Sequence, residues 1–180
     1  IIREQLYRMQ TRALIGALVD VAEAGKKPNA DIMVPLVSEV NELNLVRSWI
    51  EEEIASVENE LRPSIGTMIE TPRSAITAES IANKADFFSF GTNDLTQLLF
   101  GFSRDDIESR VISVYVKEGI LSANPFETLD TQGVGHAIRH AIENGRKTNP
   151  ELEIGVCGEH GGDPESIRFL FERGVDYVSC

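Results

Sequence analysis

Cysteine is scarce: the 180 residues hold two, Cys157 and Cys180. Each sits in a strand-like apolar run and the pair lays down no disulfide framework, which points to a reducing cytoplasm rather than secretion. Long hydrophobic runs are missing too. No uncharged apolar stretch approaches the roughly 20 residues that cross a bilayer, so no membrane span is expected. Positive charge is short, with 17 Lys and Arg against 29 Asp and Glu and a formal net charge of -12. That deficit argues against nucleic acid and against an anionic membrane surface as partner. No G-x-G-x-x-G follows a strand and no G-x-x-x-x-G-K-[ST] occurs, so both nucleotide fingerprints are absent. The start carries no signal pattern and reads Ile1, not Met. What remains is an ordinary hydrophobic content of 42%, which excludes disorder and suffices for one buried core.

Strand-like and helix-like periods alternate along the chain. Residues 2–24 place Leu6, Met9, Ala13, Ala17 and Val21 on one helical face, with Gly25 as the stop. Residues 31–37 form a short strand, after which Ser38 is positioned to cap a helix running from Val40 through Ile50 to Leu61. Residues 64–70 are the next strand, and a helix follows Thr71-Pro72. Residues 86–92 form the third strand, and residues 101–130 are an irregular excursion of the kind that carries function. A helix starting at Val134 is expected to stop at Asn144-Gly145, and a fourth strand covers residues 153–158. Asp163-Pro164 then starts a helix ending at Gly174, and residues 175–180 form a fifth strand.

Strands apolar on both faces, alternating with helices, imply a parallel sheet under helices. An open doubly wound sheet and a (β/α)8 barrel both satisfy that pattern. The polar residues favour the barrel, because Glu70, Asn93, Asp94, Cys157, Glu159 and His160 gather at the C-terminal ends of different strands. A complete barrel takes about 250 residues, and five strands are found where eight are needed. The expectation is an α/β chain supplying about the last five strands of a parallel TIM-type barrel, as part of a longer protein.

Several of these residues are equipped for chemistry. Glu70 and Asp94 at neighbouring strand ends would suit Mg²⁺, which takes one or two carboxylates plus waters and substrate oxygens. The plain alternative is that each caps a helix or pairs with a base such as Arg73. Gly91-Thr92-Asn93-Asp94 turns a strand into a helix, where backbone N–H groups can cradle an anion; a tight turn with Asp as cap is the alternative. Cys157, followed by Gly158-Glu159-His160-Gly161-Gly162, is an accessible thiol for a nucleophile or proton donor, or else a small buried hydrophobe. Arg104 beside Asp105 and Asp106 is either a surface charge cluster or a ligand clamp. His136 and His140 have metal-ligand spacing without an H-E-x-x-H context, which suggests a solvated face.

At these residues the chain resembles the phosphoenolpyruvate-utilising enzymes, and most closely their pyruvate phosphate dikinase branch. The matching stretches are Ile65–Arg73 (IGTMIETPR), Phe87–Gln97 (FFSFGTNDLTQ), Gly101–Asp106 (GFSRDD), Cys157–Pro164 (CGEHGGDP) and Asp176–Cys180 (DYVSC), in family order. Enzyme I of the sugar phosphotransferase system shares GTNDLTQ but typically reads CGELAGD at the cysteine, and phosphoenolpyruvate synthase also differs there.

The resemblance implies a C-terminal barrel domain over residues 1–180 that binds phosphoenolpyruvate and pyruvate. It further implies a phosphotransferase that converts ATP, pyruvate and phosphate into AMP, phosphoenolpyruvate and diphosphate. The phosphoryl group would come from a phosphohistidine on another domain; that carrier domain and the ATP-binding domain are not in this chain. By the same resemblance Glu70 and Asp94 are magnesium ligands. Glu70, Gly91, Thr92, Asn93, Asp94 and Arg104 are substrate-binding, and Cys157 is the acid/base at C3 of the enolate. A cytoplasmic homodimer is expected. Phosphoenolpyruvate synthase or Enzyme I, a hydrolase built on Cys157 and His160, and a non-catalytic module dimerising through an open sheet edge are the alternatives.

Overall fold

The computed structural model describes residues 1–57 and 61–179. Among them five strands form a single sheet: β1 (Asp31–Val34), β2 (Ser64–Ile69), β3 (Phe87–Gly91), β4 (Glu153–Cys157) and β5 (Tyr177–Ser179). Every neighbouring pair is parallel and the spatial order follows the chain order, β1-β2-β3-β4-β5. A doubly wound sheet would reverse its order at a switch point. The absence of any reversal among these strands is the arrangement of a barrel arc, and the α/β class with a parallel sheet is as the sequence implies.

Helices α1 (Glu4–Glu23), α2 (Val40–Ala55), α3 (Pro72–Ile76), α4 (Ala78–Ala82) and α8 (Val134–Thr148) follow one another across the sheet, α1 against α2, α2 against α4, and α4 against α8. Phe88 and Phe90 of β3 are fully buried, and Phe88 reaches Gly145 of α8. Even-numbered β3 residues therefore face the helices, and Phe87, Ser89 and Gly91 face the other way. On that second face the layers alternate large and small side chains. A Cβ on Gly66 would stand 2.5 Å from the Phe87 ring, and one on Gly155 would stand 2.0 Å from the Tyr177 ring. The two glycines make room for rings lying across the neighbouring strand.

Several boundaries differ from expectation, each for a local reason. The packed stripe of α1 is Thr11, Ile15 and Leu18, whereas Leu6, Met9, Ala13, Ala17 and Val21 are exposed. Two apolar stripes compete on this helix, and the one that meets α2 is drawn in by Arg8 and Arg12, which both bond Glu53. Ser38 does not cap α2, because its hydroxyl donates to Thr71 Oγ1 at 3.2 Å. Glu39 is the cap, and the Glu42 carboxylate accepts from the backbone N–H of Ser38 and Glu39, a capping box worth about 1 kcal/mol. Helix α8 runs through Asn144-Gly145 to Thr148. Gly145 serves close packing there, since a Cβ would meet Leu152 at 2.8 Å and Phe88 at 3.0 Å. The helix after Thr71 breaks at Thr77 into α3 and α4.

The excursion between β3 and α8 is partly helical. After α5 (Thr92–Phe100) come α6 (Arg104–Ile107), a π-helical turn over Glu108–Ile112 and α7 (Ser113–Lys117). Its remaining stretch buries Phe126 and Leu129, and the Leu129 N–H donates to Ser166 Oγ. Ser166 belongs to α9 (Pro164–Glu172), whose cap is Asp163 with Pro164 in the first turn, as the sequence signals. The segment is tied down at its far end. No helix among the described residues is long and apolar enough to cross a membrane.

Candidate active site

The inward row at the C-terminal end of the sheet brings several of the candidate residues together. Gly91 pairs with Cys157 in register, and Glu70, one residue past β2, lies directly against Gly91. A Cβ at position 91 would come within 2.7 Å of Glu70 Oε2 and 2.7 Å of Met68 Sδ. Glycine here is what lets a carboxylate from one strand reach the mouth of the next.

Glu70 is 4% exposed. Its Oε1 accepts from the Leu36 N–H at 2.6 Å, and Leu36 holds a left-handed backbone at φ 54 to present that group. Burial pushes the Glu70 carboxyl above the usual range; the Leu36 bond opposes this, and the neighbouring Asp94 carboxylate adds to the rise. Two acids from different strand ends thus share one small volume. Neither acts as a cap: Thr71 caps α3, and Asp94 sits inside the first turn of α5, whose cap is Gly91. Arg73 pairs with Glu39 at 2.6 Å and also bonds Ser38 O, so its mapped ion pair is with Glu39.

Gly91, Thr92, Asn93 and Asp94 do form the strand-to-helix turn at the start of α5. Asn93 Oδ1 is buried with no partner among the described residues, and it lies close to the space a Cβ on Gly158 would take, at 3.4 Å. A buried amide oxygen left unpaired is costly, and a ligand can relieve it.

Cys157 is a free, half-buried thiol at the end of β4. Its Sγ lies 3.6 Å from Phe90 O, which can accept only from the S–H form. His160, three residues on, is fully buried and does not face the thiol. Its Nδ1 is 2.7 Å from Thr92 Oγ1 and its Nε2 is 2.9 Å from Pro125 O. With both nitrogens committed, the Cys157–His160 hydrolase loses its base.

Arg104 is brought beside this loop from α6. Its guanidinium bonds Glu159 at 2.7 Å and Glu108 at 3.0 Å and stands over the Phe126 ring at 5.4 Å. Glu159, then Glu108, raises its affinity for its proton, and in turn Arg104 holds the Glu108 carboxyl below the usual range. His136 is exposed beside Arg139, and His140 lies near Ile76 O at 3.3 Å, so the two do not converge. Cys180 lies outside the described residues.

Two residues of the site escape a reading by sequence. Leu36 contributes only its backbone N–H, which no side-chain pattern signals. Gln97 donates to Asp94 Oδ1 at 3.1 Å and accepts from the Arg104 N–H at 2.9 Å. Its position three residues after Asp94 on a helix was the available signal.

All 180 residues match the family described as PEP-utilising enzyme, PEP-binding domain. The chain is 48% identical over 180 residues to "Pyruvate, phosphate dikinase, chloroplastic" of Mesembryanthemum crystallinum, covering 98% of this chain and 19% of that protein. It is 49% identical over 181 residues to "Pyruvate, phosphate dikinase" of Entamoeba histolytica, covering 98% and 20%. Against "Pyruvate, phosphate dikinase 1, chloroplastic" of Zea mays the identity is 47%, with 98% and 19% covered. The chain spans about a fifth of the length of these relatives. It belongs to the PEP-utilising enzymes and matches their PEP-binding domain from end to end.

Proposed function

We propose that residues 1–180 are the C-terminal phosphoenolpyruvate- and pyruvate-binding part of a pyruvate, phosphate dikinase. In this reading the site passes a phosphoryl group between a phosphohistidine on another domain of the full-length protein and the enolate of pyruvate. The observation that carries it is the inward row itself: Glu70 and Cys157 flank Gly91, with Asp94 against Glu70. The similarity to three dikinases supports the choice within the family. A homodimer and a cytoplasmic setting belong to the same reading, the first resting on the family resemblance and the second on the free thiol of Cys157.

The donor set fits Mg²⁺. Among the described residues no cluster of three or more His, Cys, Asp or Glu forms a self-sufficient metal site, but Mg²⁺ asks for only one or two carboxylates with substrate and water completing its shell. Glu70 and Asp94 are such a pair, and their mutual repulsion and the burial of Glu70 are what a cation would offset. When bound it would supply Lewis-acid neutralisation of the negative charge that develops on the substrate oxygens.

The chain's own residues do the rest. Leu36 holds one oxygen of Glu70, so that carboxylate is fixed before substrate arrives. Gln97 does the same for Asp94. The N–H groups opening α5 and the amide of Asn93 receive the substrate's anionic end. Arg104, held by Glu159 two residues past Cys157, would exchange that partner for the ligand. Cys157 gives its S–H proton to C3 of the enolate and takes it back in the opposite direction. Phosphoryl transfer itself asks for positioning and charge neutralisation.

The test uses the full-length protein. Glu70→Gln or Asp94→Asn should abolish pyruvate phosphorylation while ATP still phosphorylates the carrier histidine. Loss of both partial reactions would reject the placement of the site.

A further inference from the structure

We propose that His160 is a positioning residue that locks the Thr92 hydroxyl and joins three loops of the site, and that it never exchanges a proton with Cys157. The inference rests on the proposed pyruvate site and adds the device that holds it together.

Pro125 O can only accept, so His160 Nε2, 2.9 Å away, carries the ring proton. Nδ1 of the neutral ring is then an acceptor, and the Thr92 hydroxyl donates to it at 2.7 Å. The same hydroxyl oxygen lies 3.4 Å from Cys157 O. With its one hydrogen given to Nδ1, that hydroxyl has none left for Cys157 O, so the imidazole ties the excursion at Pro125 and the β3–α5 turn at Thr92 to its own loop after β4. His160 is fully buried, and burial lowers its affinity for a proton, so the neutral tautomer that the two bonds require is also the one its surroundings favour. A ring committed on both sides cannot serve as the base for a thiol, and its full burial suits positioning.

The two amide variants separate the two bonds in the full-length enzyme. In His160→Asn the amide oxygen falls where Nδ1 was and still accepts from Thr92. In His160→Gln the amide reaches the Nε2 position, keeps Pro125 and loses Thr92. His160→Gln is expected to raise the pyruvate KM roughly tenfold, and His160→Asn to stay within about threefold of wild type. The pH profile of Cys157 alkylation by iodoacetamide, followed on its peptide by mass spectrometry, should be the same in wild type and both variants. Equal impairment of the two variants, or none in either, would overturn the Thr92 lock. A shifted alkylation profile in both would make His160 the partner of Cys157 instead. If wild type does not phosphorylate pyruvate, the functional reading fails, while the alkylation profile still decides whether His160 touches the thiol chemistry.

Discussion

Gly91 and Glu70 approach so closely that a methyl group on Gly91 would stand 2.7 Å from Glu70 Oε2 and 2.8 Å from its Cβ. The carboxylate is wedged between that glycine and the Leu36 N–H, and Asp94 meets it from the helix that Gly91 itself begins. One small residue thus leaves the space that the Glu70 carboxylate occupies. Gly91→Ala should cost about 1–3 kcal/mol of stability through overpacking, and in the full-length enzyme it should weaken Mg²⁺ and pyruvate binding more than it lowers the melting temperature. A variant with normal Mg²⁺ dependence would separate the glycine from the carboxylate pair.

Glu70 should also trade stability for function. Its folded-state affinity for a proton is raised, first by burial, so the folded chain favours the protonated form. Stability from this group is present below its unfolded value and is lost as pH rises through the higher folded value. Glu70→Gln should therefore raise the melting temperature of the metal-free chain at neutral pH, and the gain should shrink on acidification. A lower melting temperature at neutral pH would show that the Leu36 bond outweighs the desolvation.

The alternation of strand and helix, and the gathering of polar residues at strand ends, are legible from the sequence because both follow from local periods of apolar residues. Glu70, Asp94 and Cys157 stand at or just beyond strand ends, as that pattern implies. What was not legible depends on contacts between distant segments. The choice of stripe on α1 is made by α2, through Glu53. Ser38 is drawn away from α2 by Thr71 of a later loop. Gly145 reads as a stop but serves the Phe88 ring. The backbone N–H of Leu36 acts on Glu70 from 34 residues away, through a left-handed turn that leucine seldom adopts.

His160 should leave a mark on the acid side of the stability curve. Burial lowers its folded-state pKa below the ordinary 6.5, against the raising effect of Glu159 and Asp163 and with the help of Arg104. Below 6.5 the unfolded chain takes up the proton and the folded one does not, so stability falls as pH falls through that window. His160→Asn cannot be protonated and should flatten that part of the curve. Melting temperatures between pH 7 and pH 5 check this, and parallel curves for the two proteins would refute it.

The most direct test concerns the proton at C3. Solvent deuterium is followed into the methyl group of pyruvate by the full-length phosphorylated enzyme with Mg²⁺. Cys157→Ala should show no exchange and no turnover in either direction while keeping pyruvate and Mg²⁺ binding. Cys157→Ser should be nearly as impaired, since a hydroxyl is far less acidic than a thiol. Wild-type exchange that disappears in Cys157→Ala is the predicted result, and full exchange in Cys157→Ala would contradict it, reassigning the proton to another group and leaving Cys157 as packing at the end of β4.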